Sequence, residues 1–174
     1  MQIDPVKFRS LVEQHQSMVF SIALRITGEY GVAEEVAQDA FLELHKSGAR
    51  LESDDHVRFW LRRVTVHRST DALRSRQRRP ESAADEWVDE EHTDTSGQRM
   101  DFGIAARLDE LLGSLPEAMR VAVVLRYQEE MSPDEISTML GQPVATVKSN
   151  LQRGLQLLRR KAATTMKEYV RAGA

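Results

Sequence analysis

The chain has no cysteine among its 174 residues, which excludes disulfide bonds and thiolate metal sites. Its five histidines are scattered, and no two stand four apart, the spacing of a helical metal site. Aromatic residues make up only 6%. No apolar run approaches the roughly 20 residues of a membrane-spanning helix, so no membrane insertion is expected. The opening Met1-Gln2-Ile3-Asp4-Pro5 lacks the basic and apolar segments of a secretory signal, and the expected location is the cytoplasm. There is no glycine-rich phosphate loop, no paired nucleophile and base, and no metal-ligand cluster. Neither an enzyme nor a cofactor is therefore expected. Strand alternation and internal repeats are lacking too.

What is present is charge arranged in blocks. The net charge is only −3, but eight arginines lie between Arg58 and Arg79 against the single acid Asp71. Seven acids and no Lys or Arg follow between Glu81 and Asp94, and six basic residues without an acid lie between Ile136 and Lys167. Two positive blocks flanking a negative one point to polyanionic partners more strongly than the total does.

Hydrophobic residues at 41% support a packed core, and the periodicity along the chain reads as all-helical. Asp4 and Pro5 open a first helix whose stripe runs through Phe8, Leu11, Val12, His15, Val19, Ile22, Ala23 and Ile26, with Gly28 as its stop. A second helix is expected from about Val32 to Lys46, with Ala33, Val36, Ala37, Ala40, Phe41 and Leu44 inward. Glu34, Glu35, Gln38, Asp39 and Glu43 face outward, ordinarily a solvated surface. A polar loop runs through Asp54-Asp55. The third helix begins near His56, buries Val57, Trp60, Leu61 and Val64, and then loses its stripe at Arg68 and Asp71. Apart from Asp54 four positions before Arg58, its arginines lack acids at i, i+4, so it is expected either to project into solvent or to lie on an external polyanion.

Residues 80 to 103 read as an acidic linker with Trp87-Val88 as one apolar spot. Periodicity resumes at Ile104, Leu108, Leu111, Leu112 and Leu115; Pro116 opens a further helix carrying Met119, Ala122, Val123 and Tyr127. Ser132-Pro133-Asp134-Glu135 then combines an N-cap serine, a proline in the first turn and a capping-box glutamate. Gly141 ends that short helix, and another follows through Val144, Val147, Leu151, Leu155 and Leu158. A short capped helix, a glycine turn and a longer helix make a helix-turn-helix. Burial of Val147, Leu151 and Leu155 leaves Ala145, Thr146, Ser149, Gln152, Arg153 and Gln156 opposite, with Lys148 at the margin. These side chains suit base edges and phosphates.

Val32-Ala-Glu-Glu-Val-Ala-Gln-Asp-Ala-Phe41 resembles region 2.2 of the extracytoplasmic-function (ECF) sigma factors of the sigma-70 family. Phe59-Trp-Leu-Arg-Arg-Val64 with the basic run after it resembles regions 2.3 and 2.4. Leu115-Pro-Glu-Ala-Met-Arg120 and the stretch from Ser132 to Ser149 look like regions 4.1 and 4.2. The resemblance implies two small helical domains, a region 2 bundle over 1–80 and a region 4 helix-turn-helix domain over 104–174, joined by a flexible acidic linker over 81–103. It implies promoter recognition and melting with core RNA polymerase, docked through the beta-prime clamp and the beta flap, and control by an anti-sigma factor.

On this resemblance Glu34, Glu35, Gln38, Asp39 and Phe41 meet the clamp. Ser53, Asp54, Arg58, Arg62, Arg63, His67, Arg68 and Asp71 hold the minus-ten strand, with the loop from Ser53 to Val57 capturing an unstacked base. Ala145, Thr146, Lys148, Ser149, Gln152 and Arg153 read the minus-thirty-five duplex. His67 stands where the family commonly has asparagine, and Leu44-His45 where it has Ala-Trp. The acidic linker reads either as a solvated tether or as a mimic of nucleic acid. A stand-alone helix-turn-helix regulator is the competing expectation; a pure protein-interaction module would leave the basic blocks without a purpose.

Overall fold

The computed structural model describes residues 3–47, 50–78 and 99–172. The acidic block and Trp87-Val88 lie outside the described residues. Seven α-helices are present among those described: α1 Pro5–Thr27, α2 Tyr30–Ser47, α3 Asp54–Gln77, α4 Arg99–Gly113, α5 Glu117–Val123, α6 Pro133–Leu140 and α7 Val144–Ala172. A π-helical stretch, Val124–Gln128, continues α5.

Helix ends sit where backbone chemistry requires. Asp4 accepts from the Lys7 N–H, and Gly28 closes α1 at φ 75°, its N–H donating to the Leu24 carbonyl. Ser53 caps α3 by accepting from the His56 N–H at 3.2 Å. The segment Ser53–Val57, expected as a loop, is therefore the N-cap and first turn of α3; Asp54 and Asp55 favour that turn because carboxylates complement the helix dipole. Ser132 and Glu135 complete the capping box, and Gly141 ends α6 at φ 63°. Helix α4 starts at Arg99, inside the stretch expected as linker.

Helices α1, α2 and α3 pack into an amino-terminal bundle around Leu11, Val19, Ala40, Leu44, Val57 and Leu61. Helices α4 to α7 form a second bundle around Leu112, Leu115, Val121, Leu125, Ile136, Met139 and Val147. The two share a core, because Ile22 and Ile26 of α1 and Val66 of α3 join the second cluster. Helix α3 thus neither projects into solvent nor fades at Val64. Its buried face continues through Thr65, Val66 and Ser69. The Thr65 hydroxyl satisfies itself on the Leu61 carbonyl at 2.6 Å, so a polar residue fits an apolar seam.

Arg120 fastens the bundles. Its Nη1 donates to the Ile26 carbonyl at the end of α1 at 2.5 Å. Its Nη2 donates to the carbonyls of Gly113 at 2.7 Å and Leu115 at 3.0 Å. One guanidinium therefore satisfies carbonyls at two helix ends, where the backbone lacks partners of its own.

Candidate nucleic-acid interface

Helix α3 divides the residues expected on the minus-ten strand. Arg63, His67, Arg68 and Asp71 gather around an open cleft of about 510 Å3 with Trp60, Val64 and Glu43. Two arginines, an imidazole and an indole beside one another offer phosphate contacts and a stacking surface, which is what an unstacked base needs. Ser53 and Asp54 lie at the exposed helix start, with Arg58 one turn on. Arg62 faces elsewhere. Its Nε donates to Glu129 Oε2 at 2.9 Å across the seam, and its side chain keeps 15% exposure.

The arginines are not unpaired, as the missing i, i+4 acids led one to expect. Arg68 binds Glu43 at 2.7 Å and Asp39 at 3.5 Å. Arg74 binds Glu117 at 3.1 Å, and Arg76 pairs with Glu29. The compensating acids come from other helices, out of reach of a local spacing rule. Arg58 and Arg63 have no ion pair among the described residues. The hydrogen bond to Glu43 raises the Arg68 pKa further, so its charge is fixed at every working pH.

On α2, Glu34, Glu35, Gln38 and Asp39 are exposed and Phe41 is half-buried. Beside them runs a groove of about 740 Å3 lined by Phe8, Val12, Phe20, Tyr30, Ala37, Phe41 and Leu42. Leu42 is 57% exposed, a large apolar side chain that the sequence reading left unassigned. Carboxylates bordering an apolar groove suit a protein partner better than a nucleic acid.

The helix-turn-helix stands as expected. Val147 and Leu151 are buried, while Ala145, Thr146, Lys148, Gln152 and Arg153 are exposed and Ser149 is half-exposed. Gly154, unmarked in the sequence reading, is buried where α7 crosses α5. A Cβ there would lie 3.0 Å from Val123 Cγ2 and 3.4 Å from Met119 Cβ. Only the close approach of two helices reveals its role.

These surfaces coincide with known families. The description "Sigma-70 region 2" matches residues 11–79, and "Sigma-70, region 4" matches residues 105–158. The ECF RNA polymerase sigma factor SigE of Mycolicibacterium smegmatis is 33% identical over 152 residues, covering 86% of this chain and 59% of that protein. SigW of Bacillus subtilis, also an ECF sigma factor, is 26% identical over 91% of this chain and 90% of its own length. The chain is an ECF member of the sigma-70 family. The fold agrees: the sigma factor RpoE of Bartonella quintana, solved with the anti-sigma factor NepR, superposes with a TM-score of 0.67 at 16% identity. That match covers 88% of this sigma factor and 95% of RpoE. Helices α1 to α3 are thus region 2, and α4 to α7 contain region 4. Sigma factors are transcription initiation factors, and this chain carries their DNA-binding helix-turn-helix.

Proposed function

We propose that this sigma factor is the promoter-specificity subunit of a bacterial RNA polymerase, holding the melted minus-ten strand on α3 and reading the minus-thirty-five duplex with α7. The observation that carries the reading is the presence in one chain of two different surfaces that each suit nucleic acid. The cleft around Arg63, His67, Arg68 and Asp71 suits a splayed base, and the exposed face of α7 suits a major groove. A stand-alone helix-turn-helix regulator uses only the second, and leaves the cleft and the α2 face without a task.

The α2 face supplies the protein contact. Glu34, Glu35, Gln38 and Asp39 beside the groove at Phe41 and Leu42 fit the polymerase beta-prime clamp, with region 4 on the beta flap. Among the described residues no helix is long and apolar enough to cross a membrane. Action in the cytoplasm, where polymerase meets promoters, follows from the proposed role. The RpoE relative was solved with an anti-sigma factor, and an antagonist of that class is the expected regulator here.

Permanganate probing of promoter DNA with reconstituted holoenzyme tests the division of labour. Arg63→Ala with His67→Ala is expected to abolish thymine reactivity in the minus-ten region while the polymerase contact persists. Unchanged reactivity would remove the cleft from promoter melting.

A further inference from the structure

The region 4 match ends at residue 158, but α7 runs on to Ala172. At 1.5 Å per residue the helix of 29 residues is about 43 Å long, and about four of its turns lie beyond the matched stretch. A major groove is about 12 Å wide and about 8.5 Å deep. A helix that enters it amino-terminus first keeps only its leading turns near base edges. The later turns leave the groove past the phosphates.

Those later turns carry charge of one sign on one side. Arg160 and Lys167 stand seven and fourteen residues after Arg153, and Arg171 follows four after Lys167. With 3.6 residues per turn, these positions share the side that carries Thr146, Ser149 and Gln152. Arg153, Arg160, Lys167 and Arg171 are all exposed, and none has an ion pair among the described residues. Glu168 is the one acid in α7, and it points about 100° around the helix from Lys167. The opposite side is fastened to the fold. Leu155 and Leu158 line a cleft with Leu108 and Leu112 of α4, and Lys161 Nζ donates to the Ser114 carbonyl at 3.2 Å.

Cations at a helix end also complement its dipole, but that effect fades beyond the last turn. It accounts for Arg171 and leaves Arg160 and Lys167 unexplained. We propose that the distal half of α7 is a further DNA-binding surface: Arg160, Lys167 and Arg171 hold phosphates of the duplex flanking the minus-thirty-five element, while the leading turns read the element itself. This rests on the reading of α7 as the minus-thirty-five helix. Such contacts carry no base preference and fix the register of the protein on the duplex. Each neutralised phosphate adds about 0.9 to the slope of log affinity against log salt, so three add about 2.7.

The absence of native cysteine makes the test direct. Ala163→Cys places a single thiol on the same side of α7, at an exposed position between Arg160 and Lys167. An iron chelate attached there before reconstitution with core polymerase cuts whatever lies beside it by hydroxyl radicals. Cuts are expected in the duplex flank next to the minus-thirty-five element. In parallel, holoenzyme binding is measured against salt on a duplex carrying the element and about ten base pairs, one helical turn, on either side. The triple variant Arg160→Gln, Lys167→Gln, Arg171→Gln should lower the slope by about 2–3 and weaken all base-substituted elements alike. Trimming the flanks should bring wild type to the level of the variant.

Cuts in a polymerase subunit or in the chain itself, with none in DNA, assign the surface to a protein partner and overturn the proposal. Cuts in the flank with an unchanged salt slope overturn the phosphate contacts. If flank and triple variant have no effect while base substitutions in the element still change wild-type binding, the reading of α7 stands and only the extension falls. If wild type is indifferent to those base substitutions as well, the α7 reading falls with it.

Discussion

Arg68 on α3 and Glu43 on α2 are joined by two hydrogen bonds to one carboxylate oxygen, Oε2, at 3.2 Å from Nε and 2.7 Å from Nη2. The pair ties the helix proposed to face DNA to the helix proposed to face polymerase, and Asp39 stands on the same guanidinium at 3.5 Å. Both groups are more than a third exposed, so solvent screens the attraction and its role is positional more than energetic. Glu43→Gln is accordingly expected to lower stability by less than about 1 kcal/mol in urea unfolding. It should slow open-complex formation several-fold, as Arg68 loses its fixed orientation, with binding to core polymerase unchanged.

Arg120 makes a sharper stability prediction. Burial lowers its pKa, and Nε is buried without a partner among the described residues, so the three carbonyl contacts have to compensate for desolvation. Arg120→Met removes the guanidinium and leaves the carbonyls of Ile26, Gly113 and Leu115 without it. A loss of about 2–3 kcal/mol is expected in chemical denaturation. Arg120→Lys should recover only part of it, since one ammonium cannot serve both helix ends in a plane.

His15 gives the pH dependence. It is buried in α1 with Nε2 unpartnered among the described residues, and its pKa is lowered, first by burial and then by Arg58 and Arg62, with Asp54 opposing. A lowered folded pKa means that the unfolded chain binds the proton more readily. Stability therefore falls as pH drops below about 6.5, the unfolded histidine value, and levels off below the folded pKa. His15→Leu is expected to flatten that slope between neutral and mildly acidic pH and to be neutral or stabilising at pH 7. A steeper acid loss in the variant would contradict the assignment.

Gly154 separates two opposing effects. Alanine gains about 1 kcal/mol of helix propensity, but its Cβ meets Val123 at 3.0 Å. The two nearly cancel if Val123 shifts, so Gly154→Ala is expected to fall close to wild type in thermal unfolding. Gly154→Val adds two methyls to a closed crossing and is expected to lose about 1–3 kcal/mol by overpacking.

On the proposed role, the helix-turn-helix residues divide by contact type. Arg153→Ala should cost about 1–3 kcal/mol at one position of the minus-thirty-five element and relax preference there. Lys148→Ala should weaken all sequences alike and reduce the salt slope by about one counterion. Binding measured across a base-substituted duplex series at several salt concentrations distinguishes the two.

The bundles, the capping box and the α7 face were legible because their signals are local: apolar spacing, an N-cap serine, a glycine in left-handed conformation. What escaped depends on distant chain segments. Thr65 looks polar in a list of residues, yet a helical threonine can return its hydroxyl to its own backbone and pack like an apolar residue. Glu129 carries no local mark of its bond to Arg62, 67 positions away in the chain. The π-helical turn that aims it follows from tertiary fit rather than propensity. Leu42 was unassigned because its exposure shows only once α1 and α2 form the groove together.

Reconstitution with sigma-free core RNA polymerase tests the central claim most directly. The protein should co-elute with core and direct run-off transcription from a discrete set of start sites on a genomic library. Glu35→Lys with Asp39→Lys should abolish both activities while leaving the helical circular-dichroism spectrum intact. Failure to bind core, combined with a footprint of the free protein on duplex DNA, would contradict the account and establish a stand-alone regulator.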